Sequence, residues 1–336
     1  MENTEKEMVE GRTPITSEME VDQAIREIER REQFYSLALF DILGFSNFVE
    51  NNETDAVGEL YQKLLNIIHR AESHCGGEEL LSGSVVPTPV SDDCKNSFLI
   101  AGAGGFVRVC HFSDTFIIYT NYLLTKNPFW LRDSFYEPYP LLLVEKGTKY
   151  CTLIQQEHHV YLSFLQICME FFCEAVKTGI PLRGCISTGM ATMNQHDSIY
   201  FGRPLVEAAR GETAQNCIGV AFGRSFNNYH PIYNRYFIPY LGHMKESGKG
   251  VEFLSPMVLD WPRFWRGNSM FRDLSIAECI GKMNASPTFS SYYDGAIRFA
   301  AFSQAHAEWP QEIDRDGVTD IVDYYDRAKA WYHTKR

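Results

Sequence analysis

Runs of apolar residues punctuated by Gly, Pro and acids divide the chain into short elements. YSLALF at 35–40 is apolar but for Ser36 and too short for a core helix, so it predicts a buried strand that ends at Asp41. DILGFSN follows. Val57, Leu60, Tyr61, Leu64, Leu65, Ile67 and Ile68 then recur at helical spacing and predict an amphipathic helix over about 55–72. FVRVCHF and TFIIYT flank Ser113–Asp114, which reads as a β-hairpin with a very short turn. A long apolar pattern over 153–177 predicts a helix, and Gly179 and Pro181 just beyond it are a stop signal. LRGCISTGMATM (182–193) and IYFG (199–202) read as strands. PLVEAARGETA reads as a helix opened by Pro204 in its first turn.

This order contains strand, helix, hairpin, helix, strand. It predicts an α+β fold with a ferredoxin-like βαββαβ core, an antiparallel sheet with helices on one face. Residues 1–33 read as a polar arm, 34–224 as the catalytic domain, and 225–336 as a mostly helical C-terminal extension packed on the core. One possible strand lies near VEFLSPMVLDW. The stretches 73–104 and 121–150, rich in Gly, Ser, Pro and aromatics, read as insertions.

Composition narrows the function classes. Lys and Arg total 31 against 43 Asp and Glu, a net charge of −12, which argues against a duplex nucleic-acid binder. The arm carries ten acids and five bases. By contrast, 182–224 has four bases and three acids, so the charge is uneven. The start of the chain is charged and no apolar run approaches the ~18 residues of a membrane span, so the expectation is a cytoplasmic protein with no membrane partner. Nine cysteines without C-x-x-C or zinc-finger spacing fit reduced thiols.

The candidate chemistry follows from the fold. In a βαββαβ sheet the first strand neighbours the hairpin, so strand-end Asp41 and hairpin-tip Asp114 converge at one edge. Two carboxylates there suit hard divalent cations. Gly44 lets the backbone approach a ligand, and the helix start beyond it offers free N–H groups. Arg183, inside an apolar strand, is a phosphate-contact candidate. Arg210 lies on the helix after IYFG. AGAGG at 101–105 lacks the Lys-Ser/Thr of a P-loop and is set aside.

ALFDILGFS (38–46), FSDTFIIY (112–119), LRGCISTG (182–189) and YFGRPLVEAAR (200–210), in this order, resemble the class III nucleotide cyclase catalytic domain over about residues 35–215. The layout looks most like the Pycsar pyrimidine cyclases of bacterial anti-phage defence, given DILGFS, GRPLVEAA and an extension containing LDW. The resemblance implies two Mg²⁺ or Mn²⁺ ions on Asp41, Asp114 and the Ile42 carbonyl. It implies triphosphate binding by Gly44, Phe45 and Ser46 with Arg183, and it makes Arg210 the helix arginine. The residue usually paired with that arginine as Asn is Val206, and Ile199 and Tyr200 stand where purine cyclases read the base. Tyr200 is therefore the base-side candidate.

The implied activity is conversion of UTP to 3′,5′-cyclic UMP and pyrophosphate. It takes place in a homodimer with sites at the interface, and the product activates a separate effector. CTP cyclisation, a purine cyclase with an unusual base pocket, and a catalytically silent nucleotide sensor are the alternatives.

Overall fold

The computed structural model describes residues 33–76, 107–120, 143–146, 149–152, 157–226, 236–248, 250–283, 287–309 and 321–336. The expectations for the 1–33 arm and for most of the 73–104 and 121–150 stretches lie outside these residues.

The expected core elements are present. They are β1 (Gln33–Ile42), α2 (Thr54–Gly76), the hairpin β2 (Val107–Phe112) and β3 (Thr115–Thr120), α3 (Glu157–Lys177) and β6 (Leu182–Asn194), and beside them stand two unexpected pieces, the short helix α1 (Phe45–Asn51) and a separate two-stranded pair β4 (Leu143–Lys146) and β5 (Lys149–Thr152). Next come β7 (Ile199–Gly202), α4 (Arg203–Thr213) and β8 (Gly219–Gly223). The remainder adds β9 (Phe237–Pro239), β10 (Leu254–Leu259), α5 (Trp261–Gly267), α6 (Ile276–Gly281), α7 (Ser290–Ala305) and α8 (Ile321–Lys335).

The main sheet runs β2-β3-β1-β6-β8-β10-β9, with β7 hydrogen-bonded to β6. Its first four strands are the antiparallel order of the predicted core. Two features depart from the sequence expectation. First, β8 joins parallel to β6 and β9 adds a further strand, neither of them expected, while β10 is the strand expected near VEFLSPMVLDW. Second, helices cover both faces. Alternation along β1 explains this: Ala38, Phe40 and Ile42 pack with α2 and α3, while Tyr35, Leu37 and Leu39 share a separate core with Ala208 of α4. Asp41 follows the second set, so its side chain belongs to the α4 face.

The α2–α3 side is the larger core. Leu64, Ile67 and Ile68 meet Phe164, Phe171 and Phe172, all essentially inaccessible, and Phe40 stacks edge-on to Phe171 with ring centroids 5.2 Å apart. The C-terminal helices extend this core with Trp261, Trp265, Trp309 and Tyr324. None of the helices, among the described residues, is long and apolar enough to cross a membrane.

Candidate active site

Register brings the predicted acids together. Across β1 and β3 Asp41 faces Thr115, the residue after Asp114, and across β1 and β6 Asp41 faces Arg183. Asp114 sits in the two-residue turn of the hairpin, where Ser113 takes a left-handed φ of 52°. The three side chains therefore gather at one end of the sheet on the α4 face.

A fourth group, which sequence reasoning missed, closes the cluster. Glu212, near the end of α4, is buried, and its Oε1 lies 2.5 Å from Arg183 Nη2. The same Nη2 is 3.6 Å from Asp41 Oδ2. The Arg183 side chain is 11% exposed and that of Asp41 24%. Gly211 makes this possible, because a Cβ there would stand 2.6 Å from Cys185 Sγ, so only glycine lets α4 lie this close to β6. The sequence signal was present in the R-G-E run at 210–212. In the sequence it adds only to the charge balance of 182–224, because its partner, Arg183, is far away in the chain.

The electrostatics follow from three acids around Arg183, with Lys245 also pulling on Glu212. The Asp41 carboxyl is pushed up to about 7, first by burial, then by the charges of Glu212 and Asp114, against the opposing pull of Arg183. Glu212 is also raised, mainly by burial, with Arg183 pulling the other way. With all three acids ionised, the cluster carries −3 + 1 = −2. Among the described residues, no three His, Cys, Asp or Glu side chains converge as a ready-made metal cage. The donor set nevertheless fits divalent cations. Arg183 sits nearest Glu212, which leaves Asp41 and Asp114 as oxygen donors with unbalanced charge.

The other predicted residues divide. Ile42 ends β1 beside Asp41, its side chain in the α2–α3 core, opposite Leu182. Gly44 caps α1 with a left-handed φ of 80°, with Phe45 half-buried and Ser46 exposed after it. The space beside Gly44 is taken from an unpredicted quarter, since a Cβ there would meet the ring of Phe289 at 3.0 Å. From the same segment, the Tyr292 ring lies 5.4 Å from Arg183 Cζ and 6.0 Å from Lys245 Nζ, both within cation–π range. Arg210 is not brought to the cluster. It is exposed, with its guanidinium 4.9 Å from the Phe253 ring, because two residues turn a helix by about 200° and put it opposite Glu212.

Tyr200 is also separate. It pairs with Met193, ten residues along β6 from Arg183, which is about 30 Å of strand. Its hydroxyl contacts the Cys110 thiol, which burial pushes up to about 12.

No protein-family model matches the chain, and no curated protein sequence matches it. Solved structures do overlap it, among them two nucleotide cyclases. The catalytic core of a rhodopsin-guanylyl cyclase with converted specificity, in complex with ATPalphaS, is 13% identical, covers 68% of this chain and 96% of its own, and has a TM-score of 0.38. The adenylyl cyclase CyaB from P. aeruginosa is 14% identical, covers 60% of this chain and 80% of its own, and has a TM-score of 0.30.

Proposed function

We propose that the chain is a nucleotidyl cyclase that converts UTP to 3′,5′-cyclic UMP and pyrophosphate. The observation that carries this is the meeting of Asp41 and Asp114, with unbalanced charge, beside Gly44 and Arg183 at one sheet end. Asp41, Asp114 and the Ile42 carbonyl would hold two divalent cations. Bound there, such ions supply Lewis acidity toward the ribose 3′-hydroxyl and charge neutralisation on the leaving pyrophosphate. The chain's own residues bind and orient. The Gly44–Ser46 backbone and Arg183 face the triphosphate, so that the 3′-oxygen lies in line with the α-phosphorus. The new O3′–P bond replaces the bond to the β-phosphate bridging oxygen, and the hydroxyl proton leaves to solvent.

The distance from Tyr200 to the acids argues that the working unit is a homodimer. A base contact by Tyr200 would have to come from a second copy packed head to tail. Exposed Met190, Ile199, Phe201 and Val206 around β7 and α4 supply an apolar surface for it. Ile199 and Tyr200 stand where, by the sequence resemblance, purine cyclases read the base, which favours a pyrimidine. The product would act as a messenger for a separate effector in anti-phage defence, as the sequence resemblance implies.

The test is incubation of the purified chain with each ribonucleoside triphosphate and Mn²⁺, with products identified by mass. Cyclic UMP is expected, and Asp41→Ala and Asp114→Ala should each lower its formation at least 10³-fold while the far-UV spectrum is unchanged. Cyclic CMP or a cyclic purine would correct the base. Full turnover in either variant would overturn the site assignment.

A further inference from the structure

We infer that Glu212 is a positioning residue for the metal site, the acid that keeps Arg183 off Asp41. The inference rests on the metal reading of Asp41 and Asp114. One nitrogen, Arg183 Nη2, lies between two carboxylates, 2.5 Å from Glu212 and 3.6 Å from Asp41. Arg183 Nε and Glu212 Oε1 both lack a hydrogen-bond partner among the described residues, so Nη2 and Oε1 meet as an ion contact and no bond from Nε locks the fork in one orientation. The position of the charge is therefore decided by which acid wins Nη2.

Glu212 wins because it is the more buried of the two, and an ion pair is screened least where water is excluded. Gly211 seats it there by letting α4 touch β6. Thr213 Oγ1 lies 3.0 Å from the other Glu212 oxygen, with its single proton shared between that oxygen and the Ala209 carbonyl. Tyr292 packs over the guanidinium, and Lys245, which donates to the Thr213 carbonyl at 2.5 Å, adds a second cation near the same ring. If Glu212 loses its charge, the nearest acid to Arg183 is Asp41. An Arg183–Asp41 pair would then occupy the oxygens that a divalent cation needs. Glu212 thus acts on the metal through Arg183 without touching it.

The experiment is a titration of the intact purified chain with Mn²⁺ alone, free Mn²⁺ being read by electron paramagnetic resonance. Wild type should bind, and Asp114→Asn should lose the site. Glu212→Gln should weaken Mn²⁺ binding about 10–100-fold, the range typical of residues that support metal ligands. Arg183→Gln should tighten it severalfold. The double variant Glu212→Gln/Arg183→Gln, which restores the −2 of the cluster, should return to within about threefold of wild type. A residue needed only for packing would not be rescued by removing its partner. Unchanged binding in Glu212→Gln, or a double variant as weak as the single, overturns the role of Glu212. If Glu212→Gln does not fold, Arg183→Gln decides alone, and weaker binding there overturns it. Wild type that binds no Mn²⁺ overturns the metal reading itself. Wild-type binding lost in Asp114→Asn but unmoved in Glu212→Gln overturns this inference only.

Discussion

Asp41 and Asp260 are both acids taken from water, and the chain treats them oppositely. Asp260, 1% exposed, caps α5. It accepts from the Arg263 backbone N–H at 3.3 Å and from Ser303 Oγ at 2.5 Å. Arg263 and Arg266 stand nearby, with Arg263 reaching the carbonyls of Ala307 and Trp309 and Arg266 reaching Ser303. Every neighbour of Asp260 is a donor or a cation. Asp41 instead faces two like charges, and its one cation sits closer to Glu212. An acid that holds a fold together is surrounded by what satisfies it. An acid kept for chemistry is left short of positive charge, and a cation from solution makes up the difference.

Three experiments break or sharpen this contrast. The largest stability effect belongs to Asp260. Asp260→Ala removes a helix cap worth about 1 kcal/mol and leaves the buried Ser303 O–H without its acceptor for about 1–3 kcal/mol more, so a loss of roughly 2–4 kcal/mol is expected in denaturant unfolding. Asp41→Asn should leave the midpoint unchanged or higher, because it relieves repulsion. An equal loss in both variants would erase the distinction.

The second is the pH profile. Burial raises Asp260 to about 6, so the folded state holds this proton more tightly. The resulting stabilisation is present at low pH and is lost as pH rises from about 4 through 6. Burial lowers His243 to about 4, against the pull of the Tyr240 and Ser255 backbone contacts. Its stabilisation is present above about 6.5 and is lost as pH falls toward 4. The two slopes oppose. Asp260→Asn should therefore lose more stability than wild type on acidification from pH 6 to 4, by on the order of 3 kcal/mol at about 1.4 kcal/mol per pKa unit. Parallel profiles would show that Asp260 titrates normally.

The smallest effect tests strain on the site's side. Ser113 holds a left-handed φ of 52° to turn the chain into Asp114. Ser113→Gly should stabilise by about 0.5 kcal/mol, the relief of left-handed strain exceeding the entropy that glycine adds to the unfolded chain. Destabilisation on thermal unfolding would mean that the turn carries no strain.

The antiparallel core was legible because each element carries a local signal. A short apolar run marked β1, alternation marked the hairpin around Ser113–Asp114, helical spacing marked α2, and a long apolar pattern stopped by Gly179 and Pro181 marked α3. Asp41 and Asp114 were legible as a pair because strand adjacency in such a core is nearly obligatory. β8 was missed: GVAFG is too short and too rich in glycine to signal a strand, and its five residues are buried by parallel pairing with β6. Glu212, Phe289 and Tyr292 were missed for another reason. Nothing local distinguishes a glutamate on a helix or an aromatic in a mixed segment until a partner distant in sequence fixes its meaning.

The strand order has a consequence for how the chain comes to exist. β9 and β10 lie in the same sheet as β1, and β10 is the only described strand that covers the far side of β8. During synthesis, β8 stays an open, fully apolar edge until residue 259 has left the ribosome, and the ring that rests on Gly44 arrives thirty residues later. Such late, long-range closure favours slow folding and leaves an interval in which that edge is open to pairing with other chains.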